Sequence, residues 1–170
     1  MHFTLIALLI LAVLAILIGY MVRIGGADQR RVKERLKKRY AEWVEKKRMT
    51  IDTVDNFRKR IIAYDRLGNQ LLLIDLSKEQ EEAHVIDLEN IASCRTVKNK
   101  HEANGHINGI LLECVGKRKN QPVLQFPFYD ELEDSLQDML FLQKRAEFWE
   151  HKLNIHISAS ANTDKAGYIA

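Results

Sequence analysis

Residues 60–76 have the sequence RIIAYDRLGNQLLLIDL, in which two apolar runs flank the tetrapeptide Arg66-Leu67-Gly68-Asn69. Gly and Asn tolerate the positive φ angles of a tight turn, so this stretch predicts a β-hairpin. The alternation of apolar runs and turn residues predicts further strands at 83–88, 91–97, 107–115 and 122–128. Residues 50–58 fit either a strand or a linker. Short strands without intervening helices are typical of an antiparallel sheet or half-barrel.

The apolar period changes near residue 130, where Asp130 and Glu133 resemble a helix start of the capping-box type. An amphipathic helix is therefore predicted over residues 131–152. The residues that recur at helical spacing, and that we expect to be buried against the sheet, are Leu132, Leu136, Met139, Leu140, Ala146, Trp149 and Leu153. Residues 154–170 are rich in Ser, Ala and Asn without a period, which predicts a flexible tail.

This order of elements, over residues 60–153, resembles that of bacterial pleckstrin-homology-like (PH-like) domains that lie beside a transmembrane helix. The residues that carry the resemblance are the hairpin at 61–76, the strand and turn at 85–91, and Phe128-Tyr129-Asp130 leading into the helix with Ala146 and Trp149. The resemblance implies an α+β fold in which one C-terminal helix closes an antiparallel sheet or half-barrel. It carries no catalytic signature.

The N-terminal residues 3–22 contain no charge, and only Thr4 and Gly19 lie outside the hydrophobic set. Twenty helical residues span roughly 30 Å, the hydrocarbon thickness of a bilayer, so a transmembrane helix is predicted here. A cleavable signal peptide is the alternative, but the run is long and no Lys or Arg precedes it. Eleven basic and four acidic residues at 23–48 predict that the N-terminus lies outside and the bulk of the chain in the cytoplasm. We therefore expect a single-pass protein of the inner membrane.

A basic helix is predicted at residues 25–50, with Asp28 near its start. Its narrow apolar stripe consists of Val32, Leu36, Tyr40, Trp43 and Val44. Three interpretations remain open at this stage. The helix lies on anionic lipid, it packs its stripe on a sister chain or on the following domain, or it is a solvated spacer whose charges enforce the topology.

The charge balance reverses along the chain. Residues 23–60 hold 14 basic and six acidic residues, whereas residues 61–170 hold 12 basic and 17 acidic ones. This change marks a domain boundary near residue 50. The predicted organisation is a transmembrane helix at 1–24, a basic juxtamembrane helix at 25–50, a PH-like sheet with its helix at 51–153, and a tail at 154–170.

The sequence offers few candidates for chemistry. If 91–97 pairs with 107–115, Cys94 and Cys114 face each other, but the extended chain places His101 roughly 20 Å from Cys94, which argues against a zinc site. Two packed thiols are the simplest interpretation, and a disulfide is the alternative in an oxidising compartment. Phosphate-binding loops and hydrolase motifs are absent from the sequence. We therefore predict a protein that is not an enzyme and that needs no cofactor or metal.

The preferred hypothesis is a non-enzymatic membrane protein that presents its PH-like module to the cytoplasm as an adaptor, scaffold or accessory subunit of a membrane complex. The second hypothesis is a sensing module for anionic lipid, held at the membrane by its anchor. The candidate lipid-contacting residues are Arg30, Arg31, Lys33, Lys37, Lys38, Trp43, Lys117, Arg118 and Lys119. The expected partners are the lipid bilayer and another protein, with homo-oligomerisation through the basic helix as an option. The domain's acidity argues against nucleic acid.

Overall fold

The structure is a computed structural model that describes residues 2–77, 82–102, 105–118 and 124–166. Over these residues the elements in chain order are α1 (His2–Lys47), β1 (Ile51–Phe57), β2 (Arg60–Asp65), β3 (Gln70–Asp75), β4 (Glu82–Asp87), β5 (Ile91–Lys100), β6 (Ile107–Gly116), β7 (Leu124–Asp130) and α2 (Met139–Ala166). Short 3₁₀ helices, Leu88–Asn90 and Leu136–Asp138, precede β5 and α2. The fold is therefore α+β.

The first four strands form one antiparallel sheet in the order β1-β2-β3-β4. The predicted hairpin is confirmed, because β2 pairs with β3 and Asp65 lies opposite Gln70. In the turn, Asn69 has a φ of 50°. A Cβ atom at Gly68 would lie 2.7 Å from the Asp65 carboxylate, so only glycine fits there without a shift. The open question at residues 50–58 is resolved in favour of a strand, β1.

The last three strands form a second antiparallel sheet with β6 in its centre. Cys94 in β5 lies directly opposite Cys114 in β6, as the predicted pairing requires. Pro127 lies in β7, an edge strand, where a residue without a backbone N–H is tolerated. The strands predicted in this half of the chain agree with the observed ones to within a few residues.

The main hydrophobic core lies between the two sheets and α2. It combines residues from both sheets with the inner face of α2, which consists of Leu142, Ala146, Trp149, Leu153 and Ile157. The sheets contribute the large side chains Phe57, Ile62, Tyr64, Leu71, Leu73, Ile110, Leu112, Phe126, Phe128 and Tyr129, among others. Helix α2 thus closes the sandwich on one side.

A second core lies on the opposite face of the first sheet, where α1 packs. Leu36 is fully buried there against Ile61, Ala63, Leu72 and Ile74. Other members of the predicted stripe, Tyr40, Trp43 and Val44, are partly buried against the same cluster. The structure therefore decides between the three interpretations of the basic helix: its stripe packs on the following domain of the same chain.

Helix α1 ends sharply at this sheet. Arg48 has a φ of 53°, the left-handed conformation that often terminates helices. The Met49 N–H donates to the Val44 carbonyl at 3.0 Å, and the Met49 side chain is buried in the second core. The chain is thereby directed into β1.

The N-terminal part of the sequence prediction needs correction. Helix α1 continues through Gly25 and Gly26, since glycine costs only about 1 kcal/mol in a helix and no proline is present to end it. Within the described residues, no helix combines the length and the apolar character that crossing a bilayer requires. This finding overturns the predicted transmembrane helix at 3–22, the single-pass architecture and the inner-membrane location.

The C-terminal helix also departs from its prediction. It begins at Met139 rather than near 131, because residues 131–134 form a turn and Ser135 caps the short 3₁₀ helix. It then continues through Ala166, past the predicted end at 152. Ile157 extends the buried face, and Gly and Pro are absent from residues 154–166, so nothing in the sequence stops the helix there.

Asp65 links α1, β2 and the hairpin turn. Its carboxylate is buried and accepts the Thr50 N–H at 3.0 Å and the Gly68 N–H at 2.8 Å. We expect Asp65→Ala to lower the free energy of unfolding by about 1–3 kcal/mol, because two donors lose their acceptor. Urea denaturation measures the change. Asp65→Asn keeps one carbonyl acceptor, so its free energy of unfolding should fall by less. Equal falls for the two variants would contradict this account.

Candidate protein-interaction surface

Helix α2 carries a second apolar surface that points away from the core. We call it the outer apolar face. Its members are Leu140, Phe141, Phe148 and Ile155, each between 52% and 65% exposed. Four large, half-exposed apolar side chains along one helix are more than the single exposed residues of an ordinary surface, and exposed apolar surface of this kind marks interaction sites.

The spacing along the chain explains this surface. Phe141, Phe148 and Ile155 are separated by seven residues, which is nearly two helical turns, so they lie in one line along α2. The buried residues Ala146, Leu153 and Ile157 lie on the opposite side. The prediction that Leu132, Leu136 and Leu140 are buried is wrong, because all three are exposed. The exposed row of Phe141, Phe148 and Ile155 was not predicted. The seven-residue spacing was the available signal.

Polar contacts fix α2 on the sandwich. The Trp149 Nε1–H donates to Asp55 Oδ2 at 3.3 Å, and the other oxygen of Asp55 pairs with Arg145. Lys152 lies 3.4 Å from Asp52. The Thr53 hydroxyl, followed by Lys152, lowers the pKa of Asp52 below its usual value, which keeps Asp52 anionic opposite Lys152. The outer apolar face therefore sits on a helix that polar contacts with β1 help to hold in place.

Helix α2 also occupies the free edge of β5. The Asn154 side chain accepts the Cys94 N–H at 2.9 Å and donates to the Cys94 carbonyl at 2.7 Å. Glu150 accepts the Thr96 N–H at 2.8 Å. A partner strand could not pair with this part of β5 without displacing these side chains. The exposed side of α2, not the groove between α2 and β5, is therefore the more accessible surface.

A cleft of about 730 Å³ lies between α1, the β1–β2 turn and the segment after β7. Its lining includes the cations Lys33, Arg58, Lys59 and Arg60. Carboxylates of the segment after β7 approach three of these: Asp134 lies 2.8 Å from Arg60 and 3.4 Å from Arg58, and Glu133 lies 2.7 Å from Lys59. These ion pairs neutralise much of the positive charge, which makes the cleft a poor anion site.

The residues predicted to contact lipid do not form one surface. The basic residues on α1 are exposed, namely Arg30, Arg31, Lys33, Lys37 and Lys38. Trp43 is partly buried in the second core, and Lys46 lies 5.0 Å from its ring. Lys117 and Arg118 are exposed as well, whereas Lys119 lies outside the described residues.

The basic residues of α1 and the pair Lys117 and Arg118 lie at opposite ends of the domain. Lys33 borders the cleft beside the β1–β2 turn. The Lys117 N–H donates to the carbonyl of Asn90, which follows β4 at the other end of the first sheet. The strands between these ends have about six residues, so roughly 20 Å separates the groups. A flat surface cannot readily meet both.

Comparison with known proteins does not assign this chain to a family. Neither a protein-family model, nor a curated protein, nor a solved structure matches this chain. Among the described residues, no group of three or more His, Cys, Asp or Glu side chains is placed to hold a metal ion.

Proposed function

We propose that this chain is a non-catalytic adaptor with a PH-like fold that binds a partner protein through the outer apolar face of α2. The observation that carries the proposal is the alignment of Phe141, Phe148 and Ile155 in one exposed row on a firmly held helix. Aromatic residues are enriched at protein interfaces and supply much of their binding energy. The order of four strands, three strands and a C-terminal helix supports the PH-like part of the proposal.

The dimensions of the face favour an extended partner element. From Leu140 to Ile155 the helix rises roughly 22 Å at about 1.5 Å per residue. A partner helix of similar length, with its own apolar stripe, would cover the row side by side. Lys144 and His151, both exposed, lie near the row and would meet polar residues at the margin of such an interface.

The buried polar groups support a non-catalytic role. In the described residues they are Asp55, Arg60, Asp65, Asp75, Glu113 and Asp134. Each forms an ion pair or accepts backbone hydrogen bonds within the fold. Hydrogen bonds from Arg95 and Gln125 hold the pKa of Glu113 below its usual range and stabilise its anionic form. These carboxylates already have structural roles, which leaves them poorly suited to acid–base catalysis.

The test begins with a photo-crosslinking side chain at position 148 in cells that produce the full chain. Position 67 serves as the control, because Leu67 is 84% exposed but lies on the β2–β3 turn. We expect a partner to be captured from 148 and not from 67. Equal capture from both positions, or capture of only a second copy of this chain, would contradict the proposed partner surface.

Phe148→Asp then measures how much the face contributes. We expect the affinity for the purified partner to fall at least tenfold, because a charge replaces a buried aromatic contact at the interface. The free energy of unfolding should change by no more than about 0.5 kcal/mol, since Phe148 is exposed. Leu67→Asp is the matched control and should leave the affinity unchanged. Unaltered binding by Phe148→Asp would overturn the proposal.

A further inference from the structure

The two cysteines of the chain lie side by side in the main core. Cys94 in β5 and Cys114 in β6 are directly opposite residues, and both are buried. Their Sγ atoms are 2.7 Å apart, and both are free thiols. A disulfide bond has an S–S distance of about 2.05 Å, so a shift of less than about 1 Å separates this pair from bonding distance.

The backbone geometry of the pair also suits a disulfide. The N–H and the carbonyl of Cys94 both bond to Asn154, so they point away from β6. Cys94 and Cys114 are therefore a non-hydrogen-bonded pair of the ladder, the type in which Cα atoms are only about 4.5 Å apart. That spacing lies within the range of about 4.4–6.8 Å found in disulfides. No rearrangement of the strands is needed to join the two residues.

Helix α2 controls access to the thiols. Asn154 is bonded to the backbone of Cys94, and the neighbouring Leu153 is fully buried in the same core. The hydrogen bond with Cys94, together with burial, raises the pKa of the Cys114 thiol far above its ordinary value. In the closed structure Cys114 is thus protonated and unreactive, and attack by an external reagent requires the α2–β5 contact to open.

We propose that Cys94 and Cys114 are a redox-active pair, which a low-molecular-weight disulfide oxidises to a disulfide bond within the β5–β6 hairpin. Both S–H bonds break and one S–S bond forms. The two electrons and two protons pass to the reagent, whose own S–S bond breaks to give two thiols. The intermediate is a mixed disulfide between one cysteine and half of the reagent. The facing cysteine then attacks it and releases that half as a thiol. This inference is independent of the proposed partner surface.

Oxidation would stabilise the second sheet. The bond joins residues 20 positions apart and crosslinks the edge strand that Asn154 and Glu150 hold against α2. A loop of this length restricts the unfolded chain, and we expect the Tm to rise by about 6–12 °C.

The experiment equilibrates the full chain with mixtures of oxidised and reduced glutathione. The chain has only two cysteines, so counting thiols after rapid alkylation is unambiguous. We expect the count to fall from two to none, with a mass loss of two hydrogen atoms and no change in chain number on a non-reducing gel. Dithiothreitol should restore both thiols and the lower Tm. Two persistent thiols, crosslinked chains, or a lasting mixed disulfide would each overturn the proposal.

Two single-cysteine variants and one variant that weakens the α2–β5 contact complete the test. Cys94→Ser and Cys114→Ser should show no rise in Tm with oxidised glutathione, since neither can close the bond. Asn154→Ala should oxidise about fivefold faster or more, because loss of even one hydrogen bond shifts the opening equilibrium by that factor. The role assigned to α2 would be contradicted if the wild type oxidised as fast as the unfolded chain and Asn154→Ala had no effect on that rate.

Discussion

Replacement of Arg60 by methionine is expected to lower the free energy of unfolding by about 3–5 kcal/mol. Arg60 is 1% exposed, and its guanidinium lies 2.8 Å from Asp134 and 3.5 Å from Asp75. Both carboxylates are buried as well. Without the arginine, the buried Asp75 would lose its cation and the buried Asp134 would keep only Arg58, at 3.4 Å, and poorly compensated charges are costly in the interior. Urea unfolding followed by circular dichroism measures the loss.

The neighbouring residue provides the control. Lys59→Met removes an ion pair with Glu133, but both of those side chains are more than a third exposed, so the loss should be under about 1 kcal/mol. Arg60→Lys keeps the charge but cannot contact both carboxylates as the guanidinium does. Its free energy of unfolding should fall by an intermediate amount. A change in Arg60→Met no larger than that in Lys59→Met would show that the buried ion pairs do not stabilise the fold.

Local patterns predicted the strands well because each strand is a short apolar run bounded by turn residues. The turn at Gly68 and Asn69 determined the hairpin register, and the apolar runs located four more strands. The importance of Arg60 could not be predicted in this way. Its partner Asp134 is 74 residues away, and only the folded structure shows that the segment after β7 returns to the β1–β2 turn.

The sequence also contains a sign that α1 packs on the first sheet, namely the continuous apolar runs of β2 and β3. Such runs are easily mistaken for ordinary strand propensity. All six residues of β2 and five of the six in β3 are buried. A sheet with one solvated face alternates apolar and polar residues, whereas continuous apolar runs indicate that both faces are covered. The runs IIAY and LLLI therefore implied a covering element on the outer face of the first sheet. The apolar stripe containing Leu36 is that element.

Helix α2 shows why one apolar period is not enough to assign a buried face. Leu136 and Leu140 follow a spacing of four, as do Leu142 and Ala146, and only the latter pair is buried. The two series lie on different sides of the helix, so hydrophobicity identifies both but does not say which one meets the sheet. The tertiary contact at Trp149 makes that choice.

Trp149→Ala is accordingly expected to lower the free energy of unfolding by about 3–5 kcal/mol. The indole is fully buried in the main core, and its Nε1–H is bonded to Asp55. Truncation would leave a large cavity beneath α2 and remove one donor from a buried carboxylate. Urea unfolding measures the loss, and hydrogen exchange should show that protection of α2 and β5 decreases more than that of β2 and β3.

The adjacent residue makes this prediction specific to one side of the helix. Phe148 contacts Trp149 edge to face at 6.0 Å but is 54% exposed, so Phe148→Ala should change stability by only about 0.5 kcal/mol. If the outer apolar face binds a partner, Phe148→Ala should weaken that binding in a chain that remains folded, whereas Trp149→Ala should weaken it only through loss of structure. Equal destabilisation by the two alanine variants would mean that α2 has no distinct outer face.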